Sequence, residues 1–139
     1  MKKVLLIICP ILICVNTIVA QVTISRSELV GTKWQISAVY ERHESAYYEF
    51  TKEEFIWHRD DGTTWPSSFY LSNTIPEKFD STKVGVSTSG CYFNKYINKD
   101  HFTCYAILSF DKSKGEMVLE LKNEKFIGPD DPVTFILMK

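Results

Sequence analysis

The sequence predicts an all-β domain: an antiparallel up-and-down barrel of about eight strands, preceded by a short helical turn. Short runs rich in aromatic and β-branched residues recur at near-regular spacing. Turn signals such as Asp60-Asp61-Gly62 separate these runs, and no segment of useful length has a helical period. A barrel is preferred to a sandwich because a closed sheet leaves no exposed edge.

The amino terminus has the anatomy of a secretory signal. Two lysines precede an apolar run from Val4 to Val15, which Pro10 interrupts. That run is shorter than the roughly 20 residues that a membrane-spanning helix needs. We expect residues 1–20 to be a signal peptide, residues 21–139 to form one barrel domain, and the protein to be exported to the periplasm or outside the cell.

The individual elements follow from local patterns. Ser25 and Glu28 form a capping box before Leu29, which predicts a helical turn. Trp34 alternates with polar neighbours and is expected to point inward, and Pro66 predicts a break or an edge. The segment from Ser72 to Lys83 is predicted to be the longest loop, a candidate lid or rim. The predicted strands are Lys33 to Tyr40, Tyr47 to Phe50, Glu54 to Arg59, Thr63 to Trp65 continued after Pro66 by Phe69 to Leu71, Val84 to Thr88, Cys91 to Ile97, His101 to Phe110, Glu116 to Leu121 and Pro132 to Met138.

Charge and motifs exclude several functional classes. Loss of the two signal lysines changes the net charge from -1 to -3, and the remaining charges are interspersed, which argues against nucleic acid or anionic lipid as partner. The sequence has no Gly-x-Ser-x-Gly motif and no phosphate-binding glycine loop. Adjacent carboxylates such as Glu53 and Glu54 point to opposite faces of a strand. We expect a monomeric, non-enzymatic protein without a cofactor.

The positions of the cysteines predict a disulfide, and those of the histidines indicate no metal site. Cys91 and Cys104 remain after removal of the signal, and an exported chain favours a disulfide, which would stabilise the fold by about 3 kcal/mol. Two free thiols, or a nucleophile paired with His101, are the alternatives. His43, His58 and His101 lack metal-ligand spacing.

A group of aromatic residues could line a ligand site inside the barrel. An eight-stranded barrel can hold one small apolar ligand, although its own side chains can equally fill the interior. A filled core is the preferred reading at this chain length. The possible lining residues are Tyr48, Phe50, Trp57, Trp65 and Tyr70.

The run Leu29-Val30-Gly31-Thr32-Lys33-Trp34 resembles the amino-terminal signature of lipocalin-like (calycin) barrels. In that family a glycine and a tryptophan stand at the start of the first strand, after a short helical turn. The resemblance implies a lipocalin-like barrel in which Trp34 closes the floor.

The last part of the chain resembles the staphostatins, which are lipocalin-like inhibitors of papain-like cysteine peptidases. The similarity covers Ser109-Phe110-Asp111, the strand from Met117 to Leu121, Ile127-Gly128 and Pro132. It implies that Gly128 occupies the P1 subsite of a peptidase, with Ile127 at P2 and Pro129 and Asp130 on the primed side. The inhibitory loop would run from Phe126 to Asp130.

Pro129 departs from the staphostatin pattern. It removes the N–H of the scissile bond and fixes φ near -65°. A Gly-Pro bond resists cleavage, which suits an inhibitor, but the proline could also misdirect the primed side. Apart from the resemblance, Gly128-Pro129 could simply form a turn before an edge strand.

These observations lead to two functional hypotheses of different kinds. The first is inhibition of a secreted or periplasmic papain-like cysteine peptidase through the loop around Gly128. The alternative is carriage of a small hydrophobic ligand in the barrel. Neutralising a toxin or stabilising an envelope assembly is a third possibility.

Overall fold

The computed structural model describes residues 21–37, 46–123 and 132–139, and their main feature is a closed eight-stranded antiparallel barrel. This confirms the predicted all-β, up-and-down architecture and is compatible with a lipocalin-like fold. A separate two-stranded sheet, a one-turn helix and a 3₁₀ turn complete the described structure. The elements are β1 (Ile24–Ser25), α1 (Arg26–Leu29), β2 (Lys33–Ile36), β3 (Tyr47–Phe50), β4 (Glu54–His58), β5 (Thr64–Ser72), the 3₁₀ turn (Ser81–Lys83), β6 (Ser89–Gly90), β7 (Tyr92–Asn98), β8 (His101–Asp111), β9 (Glu116–Leu121) and β10 (Val133–Leu137).

Strand order around the barrel follows the chain with one exception. The order is β10-β2-β3-β4-β5-β7-β8-β9, and β6 pairs instead with β1 outside the barrel. The last strand closes the sheet, because β10 pairs with β9 on one side and with β2 on the other. In that closure Leu137 lies opposite Trp34, and Phe135 lies opposite both Ile36 and Met117.

The amino-terminal turn forms as predicted. Ser25 N donates to the Glu28 carboxylate at 2.8 Å, and the Ser25 side chain accepts backbone N–H groups of the first turn. These bonds satisfy donors that would otherwise be unpaired at a helix start. Leu29 and Ile24 are buried in the core cluster, so α1 and β1 cover one flank of the core.

The core occupies the half of the barrel interior that contains Trp34. The Trp34 side chain is fully buried, its Nε1 donates to Thr32 Oγ1 at 2.7 Å, and its ring lies 6.0 Å from that of Phe110. Phe50 meets Phe69 and Phe93 edge to face, at centroid distances of 5.4 and 5.6 Å. The inward position predicted for Trp34 is confirmed.

Of the two alternatives predicted for Pro66, the break is wrong, because β5 runs through it from Thr64 to Ser72. The edge agrees with the register, because β7 pairs with β5 only from Phe69 to Ser72. Pro66 lies opposite Ile56 of β4. Arg59 N donates to Thr63 O and Phe69 N donates to Glu53 O, and hydrogen-bonded pairs alternate along an antiparallel ladder. Pro66 therefore falls at a non-hydrogen-bonded position, where its missing N–H costs no ladder bond.

The segment 73–88 lies against the outer wall of the barrel rather than over its end. The rings of Tyr70, Tyr96 and Phe102 lie 5.1, 5.2 and 6.3 Å from that of Phe79. This corrects the prediction that the loop is a lid or rim. The predicted strand from Val84 to Thr88 is also wrong, because residues 84–88 form no strand. The loop returns through Gly90, where an added Cβ would lie 2.4 Å from the Ser72 carbonyl oxygen.

Candidate functional site

A cavity of about 240 Å³ occupies one end of the barrel interior. Three of its lining residues mark that end: Ile36 is the last residue of β2, Leu121 the last of β9 and Val133 the first of β10. Among the described residues, the preferred filled core is therefore found in the half that contains Trp34 and not at this end. The described residues that line this barrel cavity are Ile36, Tyr48, Phe55, Phe93, Lys95, Tyr105, Leu119, Leu121, Val133 and Phe135.

Tyr48 brings a phenol hydroxyl to the otherwise largely apolar wall. Its ring stacks on that of Phe55 at 4.8 Å and 11°, and Phe135 meets it edge-on at 5.6 Å. Burial raises the pKa of Tyr48 to about 12, and the neighbouring Tyr105 adds to the rise. The Tyr48 phenol is therefore protonated at neutral pH and can act as a hydrogen-bond donor.

Lys95 carries a positive charge into the barrel cavity. It lies opposite Phe69 on one side and Thr103 on the other, and cross-strand partners share a face of the sheet. Since Phe69 belongs to the core, Lys95 and Thr103 are on the inward face. The Lys95 Nζ lies 5.7 Å from the centre of the Phe55 ring, a cation–π distance.

Thr103, the cross-strand partner of Lys95, has a buried hydroxyl but is not among the described lining residues of the cavity. The residue is 7% exposed, and its Oγ1 has no hydrogen-bond partner within the described chain. Buried polar atoms are nearly always paired in native proteins, because an unpaired one keeps its full desolvation cost.

The five residues that were predicted to line a ligand site lie in different parts of the barrel. Tyr48 lines the cavity, and Trp57 stacks beside it at 6.2 Å. Trp65 is 59% exposed and meets Trp57 edge to face at 6.1 Å. Phe50 is part of the filled core.

The prediction for Tyr70 is wrong. Tyr70 alternates with the core residues Phe69 and Leu71, which places it on the outside of the barrel. It is nevertheless fully buried, because Phe79 of the segment 73–88 covers it. Its hydroxyl accepts a hydrogen bond from Asp80 N at 3.3 Å.

Arg59 lies close to the rings of both Trp57 and Trp65 at the rim of the barrel. Its guanidinium carbon lies 5.3 Å from the Trp57 ring centre and 5.6 Å from that of Trp65. All three residues flank the β4–β5 turn, in which Gly62 adopts a φ of 81° as the sequence predicted. This turn is at the same end as the cavity, since Trp57 lies opposite Tyr48.

Sequence reasoning missed most of the lining, including Lys95, Tyr105 and Phe135. Alternation is the signal that could have found them, because Phe93 and Lys95 share the inward face of β7. It is obscured where Asn94, on the opposite face, is also fully buried. A strand that is covered on both faces has no alternation of apolar and polar residues to distinguish its inward from its outward positions.

The predicted disulfide is absent, because Cys91 and Cys104 are free thiols. Cys91 O accepts from Ile107 N at 2.9 Å, whereas Cys104 lies opposite Asn94. The two cysteines are thus offset by three residues along the ladder, or about 10 Å, beyond the roughly 7 Å limit for a bridge. Burial, with a contribution from Cys91, raises the pKa of the Cys104 thiol to about 12, which opposes a nucleophilic role.

The predicted inhibitory loop, Phe126 to Asp130, lies outside the described residues, as does the predicted signal peptide, residues 1–20. The described strands on either side of the loop are neighbours in the sheet. β9 pairs with β10 from Glu116–Ile136 to Leu119–Val133.

A second, wider groove of about 610 Å³ runs outside the barrel, between the segment 73–88 and the β7–β8 turn. Its lining mixes both signs of charge, with Glu77, Lys78, Lys99 and Asp100 among the residues. This mixture indicates no single class of ligand.

Residues 21–37, 46–123 and 132–139 include no group of three or more His, Cys, Asp or Glu side chains arranged to hold a metal ion. Within the same ranges no helix is long and apolar enough to cross a membrane.

Comparison of the chain with protein-family models, with curated proteins and with solved structures gave no match. The lipocalin-like and staphostatin-like resemblances therefore rest on the residues that carry them.

Proposed function

We propose that this chain is an exported, non-enzymatic, lipocalin-like protein that binds a small apolar ligand in the barrel cavity. One observation carries the proposal: the described residues form a cavity at one end of the barrel that is walled mainly by Phe, Leu, Ile and Val side chains, whereas the other half of the barrel is filled. Proteins seldom leave such space, because interiors are close-packed and an apolar void forfeits packing energy.

The cavity volume limits the size of the ligand. A dry apolar cavity of about 150 Å³ accepts benzene, and sites for drug-sized molecules begin near 300 Å³. A volume of about 240 Å³ accordingly suits a molecule of on the order of ten non-hydrogen atoms. The walls favour an aliphatic or aromatic body over a polar one.

The test is calorimetric titration with 1-octanol, a neutral molecule of this size. We expect saturable binding by the wild-type chain and its loss in Ile36→Trp, in which an indole fills the cavity. Ile136→Trp is the matched control, because Ile136 is an exposed residue of β10. Circular dichroism verifies folding of both variants. Absence of binding to the wild type, or equal binding by Ile36→Trp, would contradict the proposal.

Peptidase inhibition remains the second proposed function. The supporting observation is that β9 and β10 are adjacent antiparallel strands, so the segment between Leu121 and Val133 connects neighbouring strands, as the staphostatin resemblance implies.

A further inference from the structure

One stretch of β5 has a paired strand on one side only. β4 pairs with β5 along the whole stretch from Thr64 to Ser68, whereas β7 pairs with β5 only from Phe69 to Ser72. Within the part of the chain that the structure describes, no strand pairs with residues 64–67 on the side of β7. The otherwise closed sheet therefore has one short free edge along residues 64–67, which we call the β5 edge.

The backbone groups of Thr64 and Pro66 point toward this free side. Phe69 N donates to Glu53 O of the preceding turn, so the odd-numbered residues of β5 are the ones that bond toward β4. Successive residues of a strand direct their N–H and C=O groups to opposite sides. Thr64 and Pro66 therefore present their backbone groups to the β5 edge, and of these two residues only Thr64 has an N–H group to donate.

The β5 edge has the properties of a strand that pairs readily with another strand. Thr64, Trp65 and Pro66 are exposed, and the exposed fraction of Trp65 is as high as 59%. Threonine and tryptophan both favour extended backbone. None of residues 64–67 is charged, so the charged side chains that protect many strand edges are missing from this one. Proline is the other residue type that commonly protects such an edge.

We propose that Pro66 prevents the β5 edge from pairing with the β5 edge of a second copy of the chain. Two copies related by a two-fold axis present the same edge to each other. In an antiparallel pairing that spans residue 66, both copies lack this N–H donor, and the carbonyl groups opposite it are left without a partner. The barrel loses nothing, because the ladder between β4 and β5 does not use a donor at this position. This inference is independent of the ligand and goes beyond the proposed function.

The experiment measures self-association by sedimentation velocity, at protein concentrations up to about 300 μM. Pro66→Thr supplies the missing N–H with a residue suited to a strand, and Pro66→Ala supplies the same donor with a smaller side chain. We expect both to associate at least about tenfold more tightly than the wild type, because backbone hydrogen bonds between the two edges become available. Thr64→Val is the matched control, because it makes the same edge more apolar without adding a backbone donor. It should stay monomeric, as should the wild type.

A second substitution distinguishes edge pairing from a general change of the surface. Thr64→Pro added to Pro66→Thr moves the proline to the other position whose backbone faces the edge, and it should restore the monomer. Hydrogen exchange gives a separate readout, since the Thr64 amide of Pro66→Thr should become protected as the protein concentration rises. Circular dichroism verifies folding of each variant. The inference is wrong if folded Pro66→Thr and Pro66→Ala stay monomeric, if Thr64→Val associates equally, or if the wild type itself pairs through this edge.

Discussion

Tyr70 and Phe79 pack ring against ring on the outside of the barrel, with centroids 5.1 Å apart and planes inclined at 56°. This contact attaches the segment 73–88 to β5, and Phe79 extends it to Tyr96 of β7. We expect Phe79→Ala to release the segment, since it removes the ring that contacts both strands. Limited proteolysis should then cut within residues 73–88 at least about tenfold faster, as expected for the loss of one to two kcal/mol of local stability.

The matched control for that change is Ile75→Ala, because Ile75 belongs to the same segment and is largely exposed. Its cleavage rate should stay near the wild-type value. Equal acceleration by both substitutions would show that Phe79 does not hold the segment in place.

Trp34 should be the most costly aromatic residue of the barrel to remove. It is completely buried and its indole N–H is bonded to Thr32. Trp34→Ala should lower the free energy of unfolding by about 3–5 kcal/mol, because it leaves a large cavity and removes the hydrogen bond to Thr32. Urea denaturation measures this loss, and Trp65→Ala, at an exposed position, should cost less than about 1 kcal/mol. Similar losses for the two variants would argue against the observed core.

The two thiols should differ in reactivity. Iodoacetamide at pH 8 should label half-buried Cys91 in the native protein, whereas Cys104 should react only after denaturation, because its pKa is raised to about 12 by burial. Peptide mapping by mass spectrometry measures both sites. A peptide pair linked through Cys91 and Cys104 after aerobic purification would contradict the free-thiol structure.

The same pKa rise predicts a loss of stability in alkali. The Cys104 thiol is more reluctant to ionise in the folded chain than at its ordinary pKa of 9.0. Its contribution to stability is therefore complete below that pH and is lost as the pH rises toward about 12. The free energy of unfolding between pH 9 and 11 should fall less steeply in Cys104→Ala than in the wild type.

The inhibitor hypothesis makes a prediction that is independent of the cavity. If residues 126–130 bind a papain-like peptidase, the wild-type protein should inhibit such an enzyme stoichiometrically, and Gly128→Arg should abolish inhibition because its side chain cannot enter a P1 subsite suited to glycine. Titration of peptidase activity measures this. Inhibition by neither protein, or by both equally, would exclude Gly128 as the contact residue.

The overall architecture was predictable because turn chemistry and strand rhythm are local properties. The Asp60-Asp61-Gly62 turn, the capping box at Ser25 and the inward Trp34 all depend on residues close together in sequence. A pattern of a few neighbouring residues is therefore enough to predict such features.

The cavity was not predictable to the same extent, because it depends on strand register. Lys95 becomes a cavity residue only through its pairing with Phe69 and Thr103, far away in the chain. Tyr70 illustrates the converse error: in the run Phe69-Tyr70-Leu71 every side chain is apolar enough to face inward. The outward position of Tyr70 follows from alternation along β5. Its burial results from the segment 73–88, and no local sequence pattern places that segment against the outer wall of the barrel.

The closure of the barrel by β10 has a consequence for how the chain acquires its structure. Residues Val133–Leu137 supply a neighbour to β9 and to β2 at once, and β2 lies near the opposite end of the described sequence. Until these residues are available, both strands present unpaired backbone groups. Such distant pairing is formed slowly, so a nascent chain would stay open until its last strand emerges, and a chain shortened before Val133 would expose two edges prone to aggregation.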